Sequence, residues 1–138
     1  MKDFAENVVE FNTEVLGNKR AFKMAERADQ AKHTVKCLLE EVEEYRVANI
    51  KGDYIGAIDA IIDLMYFAVG SLHRMGLTPD EMAGCGQIVH FANMRKKKGV
   101  VFKRDCGVTD AVKPTDWLPP EKSMAEFLGV KYKGDEDD

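Results

Sequence analysis

At 138 residues the chain fits one compact domain, and its 45% hydrophobic and 32% charged residues supply a packed interior and exclude a disordered chain. A net charge of −4 leaves no global positive field for nucleic acid or anionic lipid, so no stable nucleic-acid complex is expected and any basic site must be local. Cys37, Cys85 and Cys106 are odd in number and contain no Cys-x-x-Cys pair, which suits a reducing cytoplasm, while an acidic start and the lack of a run of about 18–20 uncharged apolar residues argue against secretion and a membrane.

Phe4, Val8, Phe11 and Val15 recur at three- and four-residue steps and stop at Gly17-Asn18, which predicts a first helix over about 3–16. Ala28, Ala31, Val35, Leu38, Leu39, Val42 and Tyr45 mark one face of a long second helix, about 20–51, that runs out at Lys51-Gly52-Asp53. From Tyr54 to Met75 nearly every side chain is apolar, which predicts a third helix at the centre of a bundle, covered on every side. Thr78-Pro79-Asp80-Glu81 combines a capping box with proline at the first helical position and opens a fourth helix over about 79–97. Beyond Lys98, Gly99, Gly107, Pro114, Pro119 and Pro120 break any long element. Val100-Val101-Phe102 allows a short extended piece, Glu121–Leu128 a last short helix, and 131–138 an acidic tail. The expectation is therefore a single all-α domain over 1–138: a four-helix bundle core at about 3–97, a loop-rich C-terminal segment at 98–130, and the tail.

Asp59 and Asp63 are the only acids between Tyr54 and Leu72, and they lie one helical turn apart. Two like charges on a buried face repel and lose hydration unless a proton, a lysine from a neighbouring helix or a metal compensates them. In the second helix Glu41 and Glu44 flank the apolar stripe. If the two helices pack antiparallel through the Lys51-Gly52-Asp53 turn, the Glu41/Glu44 ridge faces the Asp59/Asp63 ridge and four carboxylates converge. A solvated acidic face is the alternative for Glu40–Glu44 taken alone. Opposite a buried aspartate pair, a hard divalent cation held by oxygens is favoured, with positions left for water and phosphate. A di-iron centre is excluded because it needs Glu-x-x-His pairs, and none of His33, His73 and His90 has a glutamate three residues before it.

Arg95, Lys96, Lys97, Lys98, Lys103, Arg104 and Lys113 form a basic segment in an otherwise acidic chain, with Asp105 and Asp110 the acids within it. A solvated helix end is one reading of it, and an anion site is the other. A carboxylate cage for magnesium beside a lysine cluster has a simple joint use, the binding of a polyphosphate.

Glu40-Glu41-Val42-Glu43-Glu44 matches the Glu-Glu-x-x-Glu of the all-α nucleoside triphosphate pyrophosphohydrolases, which comprise the MazG-like, dimeric dUTPase-like and phosphoribosyl-ATP pyrophosphohydrolase-like enzymes. Ala60-Ile61-Ile62-Asp63 matches their Glu-x-x-Asp only at Asp63, but Asp59 stands just before the missing glutamate, as in the phosphoribosyl-ATP pyrophosphohydrolase-like branch that the chain most resembles. Asn93-Met94-Arg95-Lys96 resembles that branch's Asn-Met-x-Lys segment, and Lys113-Pro114 with Pro119-Pro120 resembles its C-terminal elements. The resemblance covers about residues 4 to 121. It implies a MazG-like fold and cleavage of a nucleotide between the α and β phosphates, dependent on magnesium, with manganese an alternative. Glu41, Glu44 and Asp63 match metal ligands, with Asp59 an expected fourth. Glu40 matches a supporting or water-activating acid beside Glu41, Asn93 and Lys96 match phosphate contacts, and Lys113 does so more loosely. The implied partners are a nucleotide substrate and further copies of the chain, as dimer or tetramer. Three readings stay open: nucleoside triphosphate hydrolysis, phosphoribosyl-ATP hydrolysis in histidine biosynthesis, and a non-catalytic bundle permitted by Ala60.

Overall fold

The computed structural model describes residues 2–20, 22–100 and 109–132, with backbone alone at 97–100 and 109–111. They form the helices α1 (Lys2–Glu14), α2 (Ala28–Ile50), α3 (Tyr54–Arg74), α4 (Pro79–Met94) and α5 (Glu121–Leu128). Between α4 and α5 runs an antiparallel hairpin of β1 (Lys97–Val100) and β2 (Thr109–Val112), in which Lys97 pairs with Val112 and Val100 with Thr109. The class is all-α, as expected, and the hairpin is its one addition among the described residues. Val101, Phe102, Lys103, Arg104, Cys106, Gly107 and the tail residues 133–138 lie outside the described residues. The chain divides into two compact units, Met1–Met82 and Ala83–Asp138.

In the first unit α2 and α3 pack along each other through the expected turn. Gly52 takes φ +67 there, a backbone state that side-chain-bearing residues reach only with strain. Asp53 then caps α3 by accepting a hydrogen bond from the Gly56 amide at 2.9 Å. The capping box is formed at Thr78, whose amide donates to Glu81 Oε1 at 3.0 Å while the Glu81 amide donates to Thr78 Oγ1 at 3.2 Å. On the other side of α3, Tyr66 meets Phe4 and Phe11 of α1 edge-to-face at 5.9 and 5.4 Å, and Val8 is fully buried. Gly70 lets Asn12 approach the α3 backbone, where a Cβ would crowd its amide.

Three expectations change. Helix two starts at Ala28, not near 20, because Arg27 is extended and the preceding Glu26 turns inward. The Glu26 carboxylate is only 5% exposed; it accepts from Ser71 Oγ, from Thr34 Oγ1 at 3.1 Å and from Arg74 Nε at 3.4 Å. Arg74 also donates to Asn12 Oδ1 at 3.3 Å and to Thr34 Oγ1 at 3.1 Å. A buried charge is tolerated only with partners of this kind, and making them keeps the preceding segment out of the helix. Helix four ends at Met94, since the Arg95 and Lys96 amides close short turns onto Ala92 and Asn93 and release the chain into β1.

Helix three is covered along Ala60, Val69 and Gly70 but not all round: Ile55 is 71% exposed, and Ile58 and Ile62 are open beside it, because α1 and α2 can screen only part of its circumference. By length and mean hydropathy this helix would suffice to cross a bilayer, but Asp59 and Asp63 interrupt it, so it is not an uncharged apolar run of that length. In the bundle its half-buried Asp63 lies among the carboxylates of α2.

In the second unit Phe127 of α5 packs on Gly84 of α4, which explains a glycine inside a helix: a Cβ there would collide with the ring. Gly129, at φ +68, ends α5. Trp117 anchors the segment between hairpin and helix, donating from Nε1 to Ala92 O at 2.6 Å.

Candidate metal centre

The antiparallel pairing of α2 and α3 sets the register of the acids. Glu41 and Glu44, three residues apart on α2, meet Asp63 on α3, and each offers a carboxylate oxygen within 4.8 Å of the other two. Glu41 is buried at 8% exposure, Asp63 is half-buried and Glu44 is exposed. Glu41 Oε2 is buried with no hydrogen-bond partner. Among the described residues no lysine, arginine or histidine nitrogen lies within 4.0 Å of Glu41, Glu44, Asp59 or Asp63, so the ion-pair alternative for the aspartates is not realised there.

Electrostatics follow from this crowding. Burial first, then a hydrogen bond with Glu44 and the charges of Glu44, Asp63 and Asp59, push the Glu41 carboxyl up to about 7. Burial and the charges of Asp59 and Glu44 likewise hold Asp63 above its ordinary value. An unpaired buried oxygen and two carboxyls that resist ionisation are what a small divalent cation would relieve, and an all-oxygen donor set of this size fits one. Asp59 is exposed and outside the triad, yet near enough for its charge to act on both raised groups. Glu40 is exposed one helical turn before Glu44, along a shallow groove with Lys36, Leu39 and Glu43. Ala60, where the resembling enzymes carry a glutamate, is 2% exposed.

Residues 6–87, more than half of the chain, match the family model described as phosphoribosyl-ATP pyrophosphohydrolase. The chain belongs to this family. The phosphoribosyl-ATP pyrophosphohydrolases are part of the MazG-like all-α superfamily, and the protein is accordingly a nucleotide pyrophosphohydrolase, a hydrolase acting on phosphoric anhydrides. A search of the curated proteins finds no match.

The match takes in Glu40, Glu41, Glu44, Asp59 and Asp63 and stops before Asn93, Lys96 and Lys113. Those three lie in the second unit. Asn93 is exposed at the end of α4. Lys96 and Lys113, seventeen residues apart in sequence, are brought together on one side chain: their ammonium groups sit 5.1 and 5.0 Å from the ring centroid of Trp117. Of the rest of the basic segment, Lys97 and Lys98 are described by backbone alone, and Lys103 and Arg104 lie outside the described residues.

Sequence reading placed the acids but missed three features. Trp117 lies in a proline-rich segment and carries no local sign of the two lysines that meet on it. The Glu26–Arg74 pair joins residues 48 apart and left no local signal. A cavity of about 310 Å3 between α1, α2 and α3 was equally invisible; Phe11, Tyr66 and Phe67 supply its aromatic walls, and Gln30, His33 and Arg74 its polar ones.

Proposed function

We propose that this pyrophosphohydrolase hydrolyses a nucleoside triphosphate between its α and β phosphates, giving a monophosphate and pyrophosphate, with magnesium as the natural ion and manganese as a substitute. The observation that carries the reading is the Glu41, Glu44, Asp63 triad with its orphaned Glu41 Oε2 and, among the described residues, no cation paired with it. Those three residues would hold the ion, and Asp59 adds negative field beside them. When bound, the ion supplies a Lewis acid for a phosphoryl oxygen and lowers the pKa of a coordinated water. Glu40 is the spare carboxylate on α2 that takes a proton, while Asn93, Lys96 and Lys113, which belong to the second unit, are read as phosphate contacts in their own right.

The cavity supports a nucleoside triphosphate over phosphoribosyl-ATP, the reading that the family's description favours. It belongs to the same unit as the triad: Cys37 and Tyr66 on its wall lie one turn from Glu41 and Asp63. Its volume of about 310 Å3 is at the lower end of ligand pockets, which run to about 1,000 Å3, and is of the size of one nucleoside. Phosphoribosyl-ATP carries a further sugar phosphate on its base. The arginine that could meet it, Arg74, is already committed to Glu26 and Asn12.

Assembly belongs to the same proposal. Val35, Leu39 and Val42 on α2 and Ile55, Ile58 and Ile62 on α3 form two exposed apolar stripes, a pattern that calls for a second copy of the chain. A cytoplasmic setting and the absence of a membrane or nucleic-acid partner complete the reading.

Pyrophosphate release from a panel of nucleoside triphosphates and phosphoribosyl-ATP, with magnesium and with chelator, tests it. Chelator-sensitive release from at least one triphosphate, well above that from phosphoribosyl-ATP, is expected. Release from phosphoribosyl-ATP alone would overturn the substrate assignment, and undiminished release in chelator would overturn the metal.

A further inference from the structure

Trp117 is fixed at two points. Its indole N–H is bonded to Ala92 O at 2.6 Å, where Ala92 is itself buried, and its backbone amide is bonded to Pro114 O at 3.0 Å. On this fixed ring converge two cations from different segments, Lys96 after α4 and Lys113 after β2. The hairpin brings them there, since its first pair is Lys97 with Val112, the immediate neighbours of the two lysines. Among the described residues neither ammonium has a carboxylate within 4.0 Å. A ring face attracts each cation, but the two cations repel each other. Among the described residues such a pair has no counter-charge.

With one ammonium 5.1 Å and the other 5.0 Å from the same centroid, they are separated by at most the sum of the two, about 10 Å. A phosphate oxygen bonds an ammonium at about 2.8 Å, and a condensed phosphate offers such a pair more anionic oxygens and more charge than a single orthophosphate does. We propose that Trp117 is a positioning residue that presents Lys96 and Lys113 as a clip for pyrophosphate or the β,γ-phosphates of a nucleotide. Lys113 thereby contacts the ligand on the same footing as Lys96. The ligand's identity rests on the pyrophosphohydrolase reading, whereas the clip rests on the geometry of the second unit alone.

The platform acts by restricting the lysines before the ligand arrives. Two long side chains held on a ring lose less rotamer freedom on binding, a gain worth roughly tenfold in affinity for the pair. Removing one ammonium forfeits a charge-assisted contact, and a loss of about tenfold or more is expected.

The test titrates the whole chain with inorganic pyrophosphate in the presence of chelator, so that the carboxylates cannot bind the anion through a metal. Trp117 is the chain's one tryptophan, and its emission reports directly on the clip. A saturable emission change is expected, with orthophosphate binding more weakly. Calorimetry then compares Lys113→Met, Trp117→Ala and Trp117→Phe. The lysine variant and the alanine variant should each weaken pyrophosphate about tenfold, while phenylalanine, which keeps the ring face but loses the bond to Ala92 O, should restore affinity to within about threefold of wild type. Equal affinity in wild type and Lys113→Met overturns the clip, and so does a phenylalanine variant as weak as alanine, since Trp117 would then be a structural tether only. Absence of an emission change also overturns it. These outcomes are separate from the fate of the catalytic reading: pyrophosphate bound by the clip in a chain that hydrolyses no triphosphate would support the clip and sink the activity.

Discussion

Removing one carboxylate from the triad should act in opposite directions with and without a divalent ion, and Asp63→Asn exposes both. Glu41, Glu44 and Asp63 place oxygens within 4.8 Å of one another. At an effective dielectric of about 20, two unit charges roughly 5 Å apart repel by about 3 kcal/mol. Glu44 is exposed to screening and the raised carboxyls of Glu41 and Asp63 shed part of their charge, so a gain of about 1 kcal/mol in metal-free stability at pH 8 is expected for the variant. With magnesium at a hundredfold excess over its Kd, the wild type gains about 2.7 kcal/mol. For a chain of this length that is a rise in Tm of roughly 10 °C, most of which Asp63→Asn should lose. Thermal unfolding of both proteins at pH 8, in chelator and in magnesium, reads the two effects together. Equal stabilisation of the two proteins by magnesium, or a metal-free variant less stable than wild type by more than about 2 kcal/mol, would refute the reasoning, because Asp63 would then be a structural residue.

The Glu41 carboxyl titrates near 7 in the folded, metal-free protein against an ordinary 4.5, so the folded state binds more protons than the unfolded chain between those values. Metal-free stability should therefore fall as pH rises from about 4.5 to 7, and magnesium affinity should rise over the upper part of that window; urea titrations and metal binding at pH 6 and 8 check the two slopes. Asp59→Asn should raise the magnesium midpoint of turnover by up to about tenfold, less than Asp63→Asn, and an unchanged midpoint removes Asp59 from the site. Arg74→Met leaves the Glu26 carboxylate buried without its cation and should cost about 3 kcal/mol in urea unfolding, much of it recovered in the Glu26→Leu, Arg74→Met double variant; additive losses would contradict a coupled pair. Sedimentation at micromolar concentration should show an oligomer that Ile55→Asp disrupts, and a wild-type monomer would refute that assembly.

The legible part of the site was the part that broke a pattern. Asp59 and Asp63 interrupt an apolar helix, and Glu41 and Glu44 sit at helical spacing opposite them, so periodicity and Coulomb repulsion sufficed to pair the two ridges once the Lys51-Gly52-Asp53 turn fixed their direction. The boundary of α2 was not legible, because it is set by Glu26 reaching Ser71 and Arg74 across the bundle rather than by any local propensity. Nor was the role of Trp117, which depends on a hairpin that brings Lys113 back beside Lys96.

Ala60 joins these two kinds of information. In sequence it is a lost ligand, and for a four-carboxylate shell that loss argues against catalysis. In the fold it is one of the most buried positions of α3, while Asp59 next to it is exposed and still acts electrostatically on Glu41 and Asp63. A longer acidic side chain at Ala60 would have to bury a further charge among carboxyls that already resist ionisation, whereas moving the acid one position along the helix keeps its field and leaves it hydrated. The substitution thus lowers the repulsion within the metal-free site without removing the fourth negative charge from its vicinity. Glu41, Glu44 and Asp63 still keep their carboxylate oxygens within 4.8 Å of one another, a spacing that could hold a divalent ion.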